Sequence, residues 1–248
     1  MMSLRNCISI SDEVFKMTKD YTNVKLKKYE DFVSILENVG FMTLSKNCID
    51  FVNLSNLTEP EQWHTDLPSD PWPWRVQIEL EHKAAYAKLF DKKPGFIALE
   101  WYPIFLSAIR RGRSFYEVYS EGLLSNYAKQ IYSLIESHKI LAVHEIKALG
   151  CFTKELNSKY ESAMCELQMG MFITTNGMKQ KIGSNGEPYG WPATAYSTVE
   201  TWAGEDLIEK AWNLKPQDAV DEILLRIDDI MPKADDKKLK KFFGVKTY

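Results

Sequence analysis

No uninterrupted apolar run in the chain approaches the roughly 18 residues that a bilayer-spanning helix needs. The longest are pieces such as Tyr102 to Ile109. The amino end carries Arg5, Asn6, Asp12 and Glu13 and lacks the apolar block of a signal peptide, so the cytoplasm is the expected location. Cysteine is sparse and scattered. Cys7, Cys48, Cys151 and Cys165 form no Cys-x-x-Cys pair, which argues against a disulfide framework or zinc ribbon and leaves buried free thiols as the expectation. Histidine is scarcer in effect than in number. None of His64, His82, His138 and His144 has a second histidine or cysteine one helical turn on, and Ala148 stands where the motif opened by His144-Glu145 needs its second zinc ligand. No metal or other cofactor is expected. A basic excess is lacking too: 31 Lys and Arg against 34 Asp and Glu give a net charge of −3. That excludes a protein living on non-specific phosphate attraction, and any nucleic-acid role must rest on local patches. Phosphate-loop, dinucleotide and nucleophile-elbow glycine motifs are all missing. The glycines at 183, 186 and 190 surround Ser184-Asn185 and Glu187-Pro188-Tyr189, a composition that reads as a surface turn.

What is present is ordinary globular material: 248 residues, 45% apolar and 26% charged, enough for one large domain or two to three small modules. Residues 1–23 have little apolar periodicity and read as an arm. Tyr29, Phe32, Val33, Ile35 and Leu36 recur near 3.6 residues, with Gly40 as the stop, and a strand-like run follows from Phe41 to Leu54. Between Glu59 and Trp74, four prolines and three tryptophans predict a long ordered loop held by its indoles. Residues 76–90 read as a helix or a helix plus strand, and Leu99 to Ile109 as a short helix interrupted near Pro103.

The clearest pattern runs from Ser125 to about Val199. Ser125 caps a helix striped by Tyr127, Ala128, Ile131, Leu134 and Ile135. After a turn at His138 to Leu141, a second helix carries Ile146 and Leu149 and ends at Gly150. Ser158 to Glu161 reads as a capping box for a third, with Tyr160, Ala163, Met164 and Leu167 inward and Gly170 as its end. Met171 to Thr175 then meets Asn176-Gly177, a strong hairpin signal, with Met178 to Ile182 or Thr194 to Val199 as the return strand. Three helices and a hairpin are the layout of a winged helix, whose third helix enters the major groove. Its outer side here offers Lys154, Asn157, Ser158, Lys159, Ser162 and Gln168, with Lys179 and Lys181 on the wing. Asn and Gln can read adenine edges, and Lys can neutralise phosphates. Glu155, Glu161 and Glu166 offset part of that charge. Arg110, Arg111 and Arg113 cluster where a second backbone contact would sit.

Trp72-Pro73-Trp74-Arg75, Tyr86 to Phe90, Lys93 to Ile97, Pro103-Ile104-Phe105 and Tyr116 to Tyr119 resemble the spaced motifs of proteins related to the AlkZ/YcaQ winged-helix DNA glycosylases. So do Glu161 to Gln168, Gly190-Trp191-Pro192 and Glu200-Thr201-Trp202. The similarity runs from about Lys27 to the end and implies a tandem winged-helix, DNA-associated protein. Those glycosylases use Gln-x-Gln or Gln-x-Asp, and no glutamine here has either partner; Gln77-Ile78-Glu79 is the nearest shape.

The expectation is an α+β, mainly helical chain. After the arm of residues 1–23 come winged-helix-like modules at 24–115 and 116–203 and carboxy-terminal helices at 204–248. Its expected partner is double-stranded DNA, bound as a regulator or repair accessory. The alternatives are a glycosylase with an altered acid/base pair, drawn from Glu79, Glu81 or Asp66, and a homodimeric scaffold that does not bind DNA. Ala219, Val220, Ile223, Ile227 and Ile230 form a stripe stopped by Pro232, and Leu239, Phe242 and Phe243 follow. With Ala234 and Gly244 they repeat the spacing of the Ile131 to Gly150 helices, as a truncated third module whose phenylalanines dock on an earlier module or on a second copy of the chain.

Overall fold

The computed structural model describes Tyr21, residues 24–231 and residues 235–244, so the expected arm, apart from Tyr21, and the positions Pro232, Ala234 and Cys7 lie outside the described residues. Helix α1 (Tyr29–Val39) buries the predicted stripe, and Gly40, at φ 93°, donates its N–H to the Leu36 carbonyl. Strand β1 covers only Phe41–Thr43, where a run to Leu54 was expected. The reason is Asn47. Its Nδ2 donates to Thr43 Oγ1 and the Phe51 carbonyl while its Oδ1 accepts from Phe51 N–H, so one buried side chain takes over hydrogen bonds a ladder would make. The loop folds back and stacks Phe51 on Phe41 at 5.5 Å.

The proline-rich stretch is a loop only in part. A 3-10 turn forms at Pro60–Gln62, and helix α2 begins at Pro71 (Pro71–Leu80), capped by Asp70 accepting from Trp72 N–H. Prolines fit the first helical turn because the N–H groups they lack would be unpaired there. Trp74 is buried on Phe32, whereas Trp72 stays 40% exposed. Strands β2 (Ala84–Phe90) and β3 (Lys93–Ala98) form a hairpin, and the first sheet has the order β1-β3-β2, antiparallel throughout. Helix α3 (Tyr102–Arg110) holds Pro103 at its second position, so that proline starts the helix instead of interrupting it. Ser114 caps α4 (Phe115–Ser120).

A similar order recurs with one helix more. Ser125 caps α5 (Asn126–His138), as expected, but the following turn is strand β4 (Ile140–Ala142), too short to show a period. Helix α6 (Val143–Leu149) ends at Gly150. Helix α7 (Asn157–Met169) is entered from a 3-10 turn at Lys154–Leu156. Ser158 is therefore already inside the helix, and no side chain caps its start, contrary to the capping box. Strand β5 (Ile173–Ile182) runs straight through Asn176-Gly177. Gly177, at φ 77°, makes a bulge there, and the chain reverses only between Ile182 and Pro188, where β6 (Pro188–Thr198) begins. The second sheet, β4-β6-β5, repeats the strand order of the first.

Helix α8 (Val199–Asn213), kinked at Gly204, is followed by α9 (Pro216–Ile230) and α10 (Asp236–Phe243). One hydrophobic cluster joins α1 to α3 and the first sheet with residues of α8, α9 and α10; a second fills the space among α4 to α7 and the start of β5. Phe243 meets Phe41, Phe51 and Phe90 edge-on at 5.1 to 5.3 Å, so the carboxy-terminal phenylalanines dock on the first sheet. The chain is thus α+β with two small antiparallel sheets. The cysteines correct one expectation: Cys48, Cys151 and Cys165 are free, but none is buried.

Candidate nucleic-acid interface and inter-sheet cleft

Burying Tyr160, Ala163, Met164 and Leu167 turns the opposite side of α7 outward, and Ser158, Lys159 and Ser162 are exposed on it, with Asn157 exposed on the flank and Lys154 on the turn before. Lys147 secures that flank by donating to Asn157 Oδ1 at 2.8 Å and approaching Glu161 at 3.7 Å. Gln168 is not on it. It is buried, accepting from Lys88 N–H and donating to the Met164 carbonyl, and so ties α7 to β2. On the hairpin Lys181 is exposed, while Lys179 pairs with Glu145 at 3.1 Å and donates to the Ile140 carbonyl.

The arginine cluster divides. Arg110 is buried, ion-paired to Glu200 at 2.6 Å and set over the rings of Phe172 and Trp212. It is a strut between α3 and α8, withdrawn from any duplex. Arg113 pairs with Glu121 at 2.6 Å, and Arg111 takes a left-handed backbone at the end of α3. Sequence reasoning missed the outer half of the hairpin, where Ile182, Tyr189 and Trp191 stand exposed, Trp191 at 93%. The only signal was large apolar residues inside a glycine-rich turn.

A cleft of about 220 Å³ opens between the two sheets, with Trp72, Arg75, Tyr86, Lys88, Thr194 and Tyr196 among its walls. Behind Thr175, which borders this cleft, Glu79 of α2 is buried, accepting from Gly177 N–H at 2.8 Å and meeting Thr175 Oγ1 in a short contact. Burial pushes its carboxyl up to about 7 against the pull of Thr175, Gly177 and Arg75. Thr175 Oγ1, which has one proton, also reaches the Tyr86 carbonyl. A protonated Glu79 satisfies all three oxygens: it donates to Thr175, which donates to Tyr86. Gln77 is exposed and bonded to Glu81, on the other side of the same helix. Residues two apart on a helix point about 200° away from each other, so Gln77 and Glu79 do not converge. Glu81, held by Lys83, Gln77 and Tyr29, falls to about 2. Asp66 lies in the loop before α2 in a left-handed conformation, its N–H donating to Asp70.

The sequence model of the AlkZ-related family matches residues 26–244. The chain belongs to that family. A DNA glycosylase, AlkZ of Streptomyces sahachiroi, is a structural neighbour of this AlkZ-related chain, with 9% identity and a TM-score of 0.48 over 94% of this chain and 64% of its own. This chain thus spans less than two thirds of the length of that protein. No curated protein sequence matches it.

Proposed function

We propose that the protein binds double-stranded DNA through winged helices and performs no chemistry of its own, as a regulator or repair accessory. On this reading residues 24–115 and 116–203 are the two modules, α7 is the recognition helix and the β5–β6 hairpin its wing. The observation that carries it is the exposed side of α7, where Ser158, Lys159 and Ser162 lie together, with Asn157 on the flank, Lys154 on the turn before, and Lys181 and an unburied Trp191 exposed on the hairpin. Lysines there position the duplex, and Asn157 and the serines meet base edges. Membership of the AlkZ-related family supports a DNA-associated role. Arg110 drops out of the contact set, and Lys179 and Arg113 contribute only by leaving their glutamates.

Fluorescence anisotropy with random and alkylated duplexes at two salt concentrations tests this. Replacing Lys159 and Lys181 with alanine weakens binding evenly across sequences and lowers the salt slope by about 2. An unchanged affinity and slope would leave the homodimeric scaffold as the better account. Glu79 favours one second reading, a glycosylase with a single acid/base group, because a buried carboxyl that titrates near neutral pH and touches Thr175 of an aromatic-walled cleft suits proton transfer to a departing base. Abasic-site formation in alkylated duplex, abolished by Glu79→Gln, establishes that reading; its absence in the wild type removes it.

A further inference from the structure

Arg75 is a buried cation with an unpaired guanidinium nitrogen. It is 93% buried by the 7% exposure of its surface, and its Nε finds no acceptor. An arginine withdrawn from water this far normally sits against a carboxylate, because the desolvation of its charge has to be offset. Here the guanidinium lies 4.0 Å from the centre of the Trp72 ring and 6.0 Å from that of Tyr86, which supply π-faces but no acceptor. Glu79, one turn along α2, is close enough to feel its charge, yet it directs its oxygens to Thr175 and Gly177. The same cleft is lined by Lys88 and by Thr194 and Tyr196, so a second cation and two hydroxyl-bearing side chains border it. An orphaned, buried guanidinium nitrogen at an open cleft with a second cation is a set of donors short of one oxyanion.

We propose that the cleft between the two sheets binds a phosphate group, with Arg75 as the buried anchor and Lys88 as the outer cation. The fork of a guanidinium matches the spacing of phosphate oxygens, and the ammonium adds charge without demanding an orientation. The walls come from α2 and β2 on one side and β6 on the other, so the bound group bridges the two sheet assemblies and stabilises their junction. The phosphate is either that of a free monoester or one in a nucleic-acid backbone. This site is separate from the exposed face of α7 and stands whether or not that face reads a duplex.

Calorimetric titration of the full chain with inorganic phosphate, with adenosine 5′-monophosphate, with adenosine, and with a short single-stranded oligonucleotide bearing no terminal phosphate tests the site. Binding of at least one phosphate-bearing probe and none of adenosine is expected. Response to the monophosphate identifies a free ester as the source, and response to the oligonucleotide alone identifies the backbone. Arg75→Met weakens that binding about tenfold or more, the scale of a charge-assisted pair. Lys88→Met weakens it several-fold, and Lys46→Ala, an exposed charge paired with Asp50 and outside the cleft lining, leaves it unchanged. Circular dichroism checks that each variant is folded; if Arg75→Met is not, the comparison of Lys88→Met with Lys46→Ala decides. Absence of binding by every phosphate probe, equal loss in Lys46→Ala, or a folded Arg75→Met that binds like the wild type overturns the proposal.

Discussion

Two charged side chains that the fold buries have measurable consequences of opposite kind. The Glu79 carboxyl goes from an ordinary value of 4.5 to about 7 in the folded chain, so the folded state holds its proton more tightly than the unfolded one. The stability this contributes is complete below the unfolded value and is lost as pH rises through the folded one. Between about pH 4.5 and 7 the wild type should lose on the order of 3 kcal/mol from this group. Glu79→Gln, which keeps the acceptor for Gly177 and a donor for Thr175, removes that slope and is the more stable protein at pH 8. Denaturation with urea across this range checks it, and parallel pH profiles for the two proteins would refute the assignment. Arg110 works through its partner instead. Removing it leaves Glu200 without its 2.6 Å ion pair and strips a cation from two aromatic faces, so Arg110→Ala should cost about 3 kcal/mol in the same measurement. A cost near zero would make it an ordinary surface arginine. In the sequence Arg110 looked like one of three equivalent cations, because nothing local tells that Phe172 and Trp212 close over it.

Elements with a long helical period were legible, and those shaped by one side chain or by short pairing were not. The apolar stripes of α1, α5 and α7 could be read directly, since each buried face repeats over three turns. Strand β4 has three residues and no period, and the chain past β1 is governed by Asn47, whose tertiary hydrogen bonds no spacing reveals. Asn176-Gly177 has turn chemistry, yet Gly177 uses its positive φ for a bulge that brings its N–H to Glu79. The exposure of Ser158, Lys159 and Ser162 was legible, but not the burial of Gln168, which lies six residues beyond Ser162, about 240° around the helix, and faces β2. Gly95 in β3 is an element-scale test of the first sheet. A Cβ there would lie 2.5 Å from the Phe90 ring and 2.6 Å from the Met42 carbonyl of the neighbouring strand, and a backbone atom cannot step aside as a side-chain tip can. Gly95→Ala should therefore destabilise the protein by about 2 kcal/mol, an overpacking cost. Wild-type thermal stability in that variant would mean that β1 and β3 separate without penalty.

Across the whole molecule, the two sheet assemblies are joined by more than a linker. Lys88 N–H bonds Gln168, Gly177 N–H bonds Glu79, Thr175 Oγ1 reaches the Tyr86 carbonyl, and Trp202 Nε1 donates to the Glu79 carbonyl. Met171, Val199 and Trp202, which flank the second hairpin, are buried in the cluster built around the first sheet. With hydrogen bonds and apolar surface shared in this way, opening one assembly exposes part of the other's core, and the described residues should unfold as one cooperative unit. Trp202 is the test, because it is buried against both the Tyr102 ring at 5.1 Å and the His82 ring at 5.1 Å while its indole N–H reaches α2. Trp202→Ala should cost about 3 to 5 kcal/mol, the range for deleting a buried aromatic side chain. Because the loss falls on the junction, the single transition should also split, with far-ultraviolet and near-ultraviolet signals melting at different temperatures. If the wild type already shows two transitions, or if Trp202→Ala melts in one transition at the wild-type temperature, the assemblies are independent and the cleft between them is a loose contact.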